Sequence, residues 1–154
     1  MTETFKILLR YLKHSKGRII HPRRPGSRRM RLDLRINNFN EDTGRISITF
    51  IGGKSLGLPL HFWMFEKVIN RLSSVDSFVP VGARLTPPYI RGSLEEAIWD
   101  GESSPYKAAP HVCDILFDAD LVEYGWALNA ESGRRVQGAK LKQNADIGAI
   151  SSQN

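Results

Sequence analysis

The sequence predicts an α+β fold with two β-hairpins and three helices. The hairpins build either an antiparallel sheet, in a winged-helix-like arrangement, or a small β-barrel. Two segments alternate apolar and polar residues on either side of a polar turn that contains glycine. Three other segments are typical of helices, and no strand-helix-strand repeat is long enough to require a parallel sheet. With 154 residues, of which 41% are hydrophobic, the chain suits one folded domain.

The first half of the chain predicts a helix, a hairpin and a second helix. Thr2 can cap a helix over 2–14, in which apolar residues recur at i, i+3, i+4 and i+7. Alternating residues at 30–36 and 46–50 flank a turn rich in Asn and Asp, which predicts a hairpin. Pro59 can begin a buried helix that continues through residue 72, because a helix leaves its first N–H groups unbonded.

The second half begins with a short strand expected over 79–85. Ser93 and Glu96 have the spacing of a capping box, which predicts a third helix that ends at Gly101. Cys113, Ile115 and Phe117 alternate with Asp114, Leu116 and Asp118, and this pattern predicts a strand. These elements come before a second hairpin.

That second hairpin is formed by alternating segments at 122–128 and 134–141, which flank a polar turn ending in glycine. The residues after Lys142 are small and polar, so we expect 143–154 to be a flexible tail. The predicted domain therefore spans 1–142.

Positive charge is concentrated near the N-terminus. The chain has 22 Lys and Arg against 16 Asp and Glu, a net charge of +6. The first 40 residues hold eleven bases and two acids, a net of +9, whereas the remainder holds eleven bases and fourteen acids, a net of −3. Glycines and prolines predict a loop at 13–31, here named the basic segment. Its bases are Lys13, Lys16, Arg18, Arg23, Arg24, Arg28, Arg29 and Arg31.

Arginine outnumbers lysine in the basic segment, and its planar group can pair bidentately with phosphate or with guanine. This favours nucleic acid over an acidic protein, an anionic lipid surface or a merely solvated face. DNA is favoured over RNA, since the chain lacks the Lys/Arg-Gly-Phe/Tyr pattern of RNA-recognition strands. Arg134 and Arg135 follow the second turn and predict a further phosphate contact. About six neutralised phosphates would give log K against log salt a slope of roughly −5.

Aromatic residues in loops are candidates for stacking on an unpaired base. Tyr89 follows two prolines and Tyr106 follows one, and packing does not readily explain an aromatic at either position. Trp63 and Trp126 lie on apolar faces of predicted elements, so we expect both in the core. Loop tyrosines are therefore the predicted base-stacking residues.

Three carboxylates, Asp114, Asp118 and Asp120, would share one face of the predicted strand. Carboxylates converging in this way can hold Mg²⁺ for phosphodiester hydrolysis, so the alternative function is a small metal-dependent nuclease. A competing interpretation is an acidic face that pairs with the basic segment and screens it until nucleic acid displaces it. A third hypothesis makes the chain a basic interaction subunit of a larger nucleoprotein complex.

The remaining composition limits the chemistry expected. A lone Cys113 excludes an internal disulfide and a multi-cysteine zinc site, and the four histidines lack metal-ligand spacing. We therefore expect neither cofactor nor catalytic residues, and a reducing cytoplasm as the location. Apolar runs fall far short of the roughly 20 residues that a membrane span requires, so no membrane is expected as a partner.

Overall fold

The computed structural model describes residues 2–25, 32–53, 57–82 and 87–142. Within these ranges the chain forms four helices and seven strands, an α+β fold with one helix more than the sequence predicted. In chain order the elements are α1 (Glu3–Lys13), β1 (Ile19–Ile20), β2 (Leu34–Asn40), β3 (Arg45–Phe50), β4 (Leu58–His61), α2 (Phe62–Ser73), β5 (Val79–Pro80), α3 (Leu94–Trp99), α4 (Ala109–Asp118), β6 (Val122–Leu128) and β7 (Arg135–Leu141).

The strands form two antiparallel sheets, with orders β1-β2-β3-β4 and β5-β7-β6. Both predicted hairpins are confirmed: β2 pairs with β3, and β6 pairs with β7 from Val122 opposite Leu141 to Leu128 opposite Arg135. Neither sheet closes on itself within the described ranges, so the β-barrel alternative is wrong for this part of the chain.

Helix α2 lies at the centre of the molecule, where it contacts β4, β7, α3 and α4. Its buried residues are Met64, Phe65, Val68, Ile69 and Leu72. They belong to one continuous cluster of buried apolar side chains that includes residues of both sheets. Burial of this apolar surface is the main favourable contribution to folding.

Two predicted helix starts are confirmed by their caps. The Thr2 hydroxyl accepts a hydrogen bond from the Phe5 amide at 3.4 Å, and the Ser93 hydroxyl accepts one from the Glu96 amide at 3.2 Å. Helix α3 ends at Asp100, which adopts a left-handed conformation with φ 53° before Gly101. Both starts were predictable because capping depends on neighbours within four residues.

The predicted start of the second helix at Pro59 is wrong. Pro59 lies in β4 opposite Ser47, and α2 begins three residues later at Phe62. Strand β4 is at an edge of its sheet, where a residue without an N–H is tolerated because no further strand needs that donor.

The predicted strand at 113–118 is also wrong, because these residues belong to helix α4. Seven of its ten residues are buried, so the helix shows no polar face from which a period of 3.6 could be recognised. A buried carboxylate, Glu95, accepts hydrogen bonds from the Ala108 and Ala109 amides and so caps the start of α4. Burial raises the pKa of Glu95.

Several predictions fall partly outside the described residues: the start of the first hairpin at residues 30 and 31, the strand residues 83–85 and the tail 143–154. Among the described residues, no helix combines the length and the apolar character needed to cross a membrane.

Candidate nucleic-acid interface

Helix α4 anchors the basic segment through two aspartates one helical turn apart. Asp114 Oδ1 accepts hydrogen bonds from Arg24 Nε at 3.0 Å and from the Tyr124 hydroxyl at 2.6 Å. Asp118 Oδ2 accepts one from Arg18 Nε, and another from a tyrosine hydroxyl of α1, Tyr11. Each carboxylate therefore binds one arginine of the basic segment and one tyrosine.

The two ion pairs differ in their exposure. The Asp114 side chain is 1% exposed and that of Arg24 12%, whereas the values for Asp118 and Arg18 are 21% and 52%. A buried ion pair fixes the two segments that carry it against each other, because separating the side chains would leave each charge buried without compensation. An exposed pair contributes little to stability. Arg24 is thus a structural anchor of the basic segment, and Arg18 is held only loosely.

Both tyrosines stay protonated in these contacts. Burial raises the pKa of Tyr124 well above its usual value, and the nearby Cys113 thiol and Asp114 carboxylate raise it further. Burial likewise raises the pKa of Tyr11, with the hydrogen bond to Asp118 acting in the same direction. Each hydroxyl therefore remains a donor to its aspartate.

The other bases of the basic segment have different surroundings. Lys13 lies 3.1 Å from Glu41, in an exposed ion pair. Lys16 and Arg23 are exposed, and no ion pair joins either of them to another described residue. The three remaining bases, Arg28, Arg29 and Arg31, lie outside the described residues.

The expected pairing between the acidic residues and the basic segment is confirmed at Asp114 and Asp118. Asp120 pairs instead with Lys142, from a turn in which its φ is 64°. The shared strand face assumed for a nuclease is wrong, because two of these residues lie on a helix. Among the described residues, no group of three or more His, Cys, Asp or Glu side chains could hold a metal ion.

The two loop tyrosines make contacts inside the protein. Tyr89 is buried, and its hydroxyl donates a hydrogen bond to the Glu102 carbonyl. Tyr106 donates to the Pro59 carbonyl at 2.5 Å, and its ring packs edge-on against that of Trp99 at 5.6 Å. Stacking on a base would require either ring to leave these contacts, so base stacking by these residues stays a prediction.

The expectation that Trp63 and Trp126 lie in the core is wrong. Trp63 is 40% exposed on α2, and Trp126 is 44% exposed on β6. Near each ring lies a cation: Lys67 Nζ is 5.6 Å from the ring centre of Trp63, and the Arg135 guanidinium is 5.2 Å from that of Trp126. The sequence does not reveal the exposure of Trp126 because an apolar alternation does not show how far a strand extends beyond the core. It does not reveal that of Trp63 because the apolar residues of α2 occupy more of the helix surface than the part that is buried.

Exposed arginines lie at the far end of the β6–β7 hairpin, which is the end that holds the turn between the two strands. Arg134 and Arg135 are both exposed, and neither forms an ion pair with a described residue. The acid in the turn between the strands, Glu131, lies 3.9 Å from Arg91 instead. Within the described ranges, the positive charge at this end of the hairpin is therefore not neutralised by a carboxylate.

A shared carboxylate connects the hairpin with the basic segment. Alternate residues of a strand point to the same side, so Tyr124 and Trp126 lie on one face of β6. Tyr124 donates to Asp114, and the same oxygen binds Arg24 of the basic segment. Tyr124 therefore connects the face of β6 that carries Trp126 with the aspartate that binds Arg24.

Beside this anchor lies a cavity of about 360 Å³. His111, in its lining, lies next to the Phe50 ring, with ring centres 4.8 Å apart, and its Nδ1 finds no hydrogen-bond partner among the described residues. Burial lowers the pKa of His111 to about 4, and the positive charges of Arg24 and Lys107 add to the effect. The imidazole is therefore neutral at neutral pH. The cavity is lined by Pro22, Arg24, Leu32, Leu34, Phe50, His111 and Asp114.

Cys113 packs in the core. Its side chain is fully buried on α4, and burial raises the pKa of its thiol well above the usual value, with the neighbouring carboxylate of Asp114 adding to the shift. A protonated, buried thiol is a poor nucleophile.

The chain matches no protein-family model, and no curated protein or solved structure is significantly similar to it. Any functional assignment must therefore come from the surface itself.

Proposed function

We propose that this protein binds nucleic acid, DNA in preference to RNA, through the basic segment and the far end of the β6–β7 hairpin, without catalysis of its own. The observation that supports this proposal most strongly is a set of exposed bases that form no ion pair with a described residue. They are located on two elements that meet at Asp114, and they are Lys16, Arg23, Arg134 and Arg135.

The bases of the basic segment divide into two roles. Arg24 holds the segment against α4 and is too deeply buried to exchange its carboxylate for a phosphate. Arg18 and Lys13 form exposed ion pairs, which contribute little to folding and can be exchanged for phosphate contacts at small cost. Among the described residues, no carboxylate pairs with Lys16 or Arg23. Two kinds of basic side chain therefore contribute to binding. Lys16 and Arg23 are already exposed, whereas Arg18 and Lys13 exchange a surface carboxylate for a phosphate.

Charge on two connected elements favours an extended polyanion over a small anion. Phosphates are spaced regularly along nucleic acid, and a protein that neutralises several of them releases bound counterions. The predicted result is binding that weakens steeply with salt. An acidic protein would also be attracted to these bases, but without the linear counterion dependence that DNA imposes.

The test is fluorescence anisotropy of labelled oligonucleotides at several salt concentrations, with duplex DNA, single-stranded DNA and RNA. The double variant Lys16→Ala/Arg23→Ala should bind more weakly and reduce the magnitude of the duplex slope by about two. Its matched control is Arg45→Ala/Lys67→Ala, which removes the same charge from β3 and α2 and should leave the slope unchanged. Equal slopes for both double variants and the unmodified protein would refute the proposed interface, and failure to bind any of the three probes would refute nucleic-acid binding.

A further inference from the structure

The exposure of Trp126 is unusual for the largest apolar side chain. Its position on the hairpin explains why: Val122 and Leu141, at the end of the hairpin nearest α4, are buried, whereas Trp126 and Leu128, further along the same face, are exposed. The hairpin therefore extends beyond the core and presents an indole ring to solvent. Single exposed apolar side chains are common on protein surfaces. Trp126 and Leu128 are neighbours on one face of the strand, and contiguous apolar patches mark interaction sites.

The opposite face of the hairpin is already covered. A Cβ atom added to Gly125 would lie 2.5 Å from the Phe78 ring, and one added to Gly138 would lie 3.1 Å from Phe78 Cβ. These two glycines pair with each other across the strands, so Phe78 packs on the backbone itself. Among the described residues, the face with Trp126 is the more exposed one at this end of the hairpin.

The open face combines an aromatic ring with positive and amide groups. Register places Gln137 opposite Trp126 and Arg135 opposite Leu128, and strand alternation directs all four to the same side. The Arg135 guanidinium lies 5.2 Å from the indole centre. An indole with a neighbouring arginine is a common arrangement for stacking a base while the arginine contacts its phosphate.

We propose that Trp126 is a stacking platform for an unpaired nucleobase, so that the protein binds single-stranded nucleic acid or an unpaired end more tightly than an intact duplex. This inference rests on the proposed nucleic-acid function and adds a ligand class to it. The arginines favour a polyanion over an apolar protein segment, because Arg134 and Arg135 face no carboxylate of the described chain and would be left unpaired under an apolar partner.

A second exposed tryptophan provides the matched control. Trp63 has nearly the same exposed fraction as Trp126 and also has a cation beside its ring. That cation is Lys67, which pairs with Asp100 at 2.5 Å. Trp63 is located on α2, and the cation beside its ring is Lys67 and not a hairpin arginine. Trp126→Ala and Trp63→Ala remove the same side chain from two surfaces that differ in free positive charge.

The experiment measures the affinity of both variants and of the unmodified protein for a 15-nucleotide single strand, the same strand with abasic sites, and a 15-base-pair duplex. Far-UV circular dichroism verifies that each variant is folded. Trp126→Ala should weaken binding to the single strand by about 5- to 150-fold, the range found when one stacking residue is removed. It should leave the salt slope unchanged, since no charge is lost. Trp126→Phe should restore most of the affinity, and Trp63→Ala should have no effect.

Abasic sites should weaken binding of the unmodified protein, because they remove the base that stacks on Trp126. They should produce no additional loss of affinity in Trp126→Ala, because this variant already lacks the ring on which the base stacks. Salt-dependent binding that is the same in Trp126→Ala and the unmodified protein would overturn this inference and leave the proposed function standing. Absence of binding to every probe by the unmodified protein would overturn both. Preference for the duplex over the single strand would also overturn the stacking role.

Discussion

Acidification should destabilise this protein through one buried histidine. His111 is neutral in the folded state because burial lowers its pKa from 6.5 to about 4. In the unfolded chain the imidazole takes up a proton near pH 6.5. Its contribution to stability is therefore fully present above pH 6.5 and is lost as the pH falls toward 4.

The magnitude follows from the two pKa values of His111. A difference of about 2.5 units corresponds to a limiting loss of about 3.4 kcal/mol in the free energy of unfolding, at 1.36 kcal/mol per unit. At pH 5, which lies between the two values, the loss is about 2 kcal/mol. Glu95 acts in the opposite direction: its raised pKa stabilises the protein at low pH, and that contribution is lost as the pH rises through the raised value.

The assay is urea unfolding at pH 7.5 and pH 5.0, with the unmodified protein compared with His111→Gln. Glutamine is polar and does not titrate, so the variant should lose about 2 kcal/mol less between the two pH values. All other groups, Glu95 included, titrate in both proteins and cancel in this comparison. The same pH dependence in both proteins would refute the argument that His111 is buried in its neutral form.

Three further substitutions test the anchor and the hairpin. Asp118→Asn should raise affinity for duplex DNA severalfold and steepen its salt slope by about one, because an exposed base is released for phosphate; an anisotropy titration that shows unchanged affinity would refute the screening hypothesis. Asp114→Asn should lower the free energy of unfolding by about 3–5 kcal/mol in urea, since Arg24 loses the charge of its buried carboxylate partner, and a loss below 1 kcal/mol would contradict its role as anchor. Gly125→Ala should destabilise the protein by about 1–3 kcal/mol in thermal unfolding, because the new methyl group would meet the Phe78 ring at 2.5 Å; an unchanged melting temperature would show that Phe78 does not pack there.

Local signals in the sequence were enough for about half of the elements. The caps at Thr2 and Ser93 act within four residues, and the two hairpins show alternation around polar turns, so both kinds of element could be predicted. Helix α4 could not, because its polar residues are buried in tertiary contacts and its first turn is capped by Glu95 from another helix. Pro110 near its start was the one local sign of a helix.

The candidate site was predictable in composition and not in arrangement. The concentration of bases near the N-terminus is a property of the sequence, but their pairing with α4 depends on which residues the fold brings together. Arg24, an expected phosphate ligand, is paired with Asp114 in the fold. Trp126 changes from an expected core residue to an exposed one, because only the structure shows that the hairpin extends past the core.

The salt dependence of binding to duplex DNA tests the central proposal most directly. The unmodified protein should give a slope of roughly −5 for log K against log salt, as expected for about six phosphate contacts. Replacing Lys16, Arg23, Arg134 and Arg135 together by alanine should reduce the magnitude of the slope by 3 to 4, at about 0.9 per contact. A slope near zero for the unmodified protein, or one that the four substitutions leave unchanged, would contradict a phosphate-binding surface formed by these two elements.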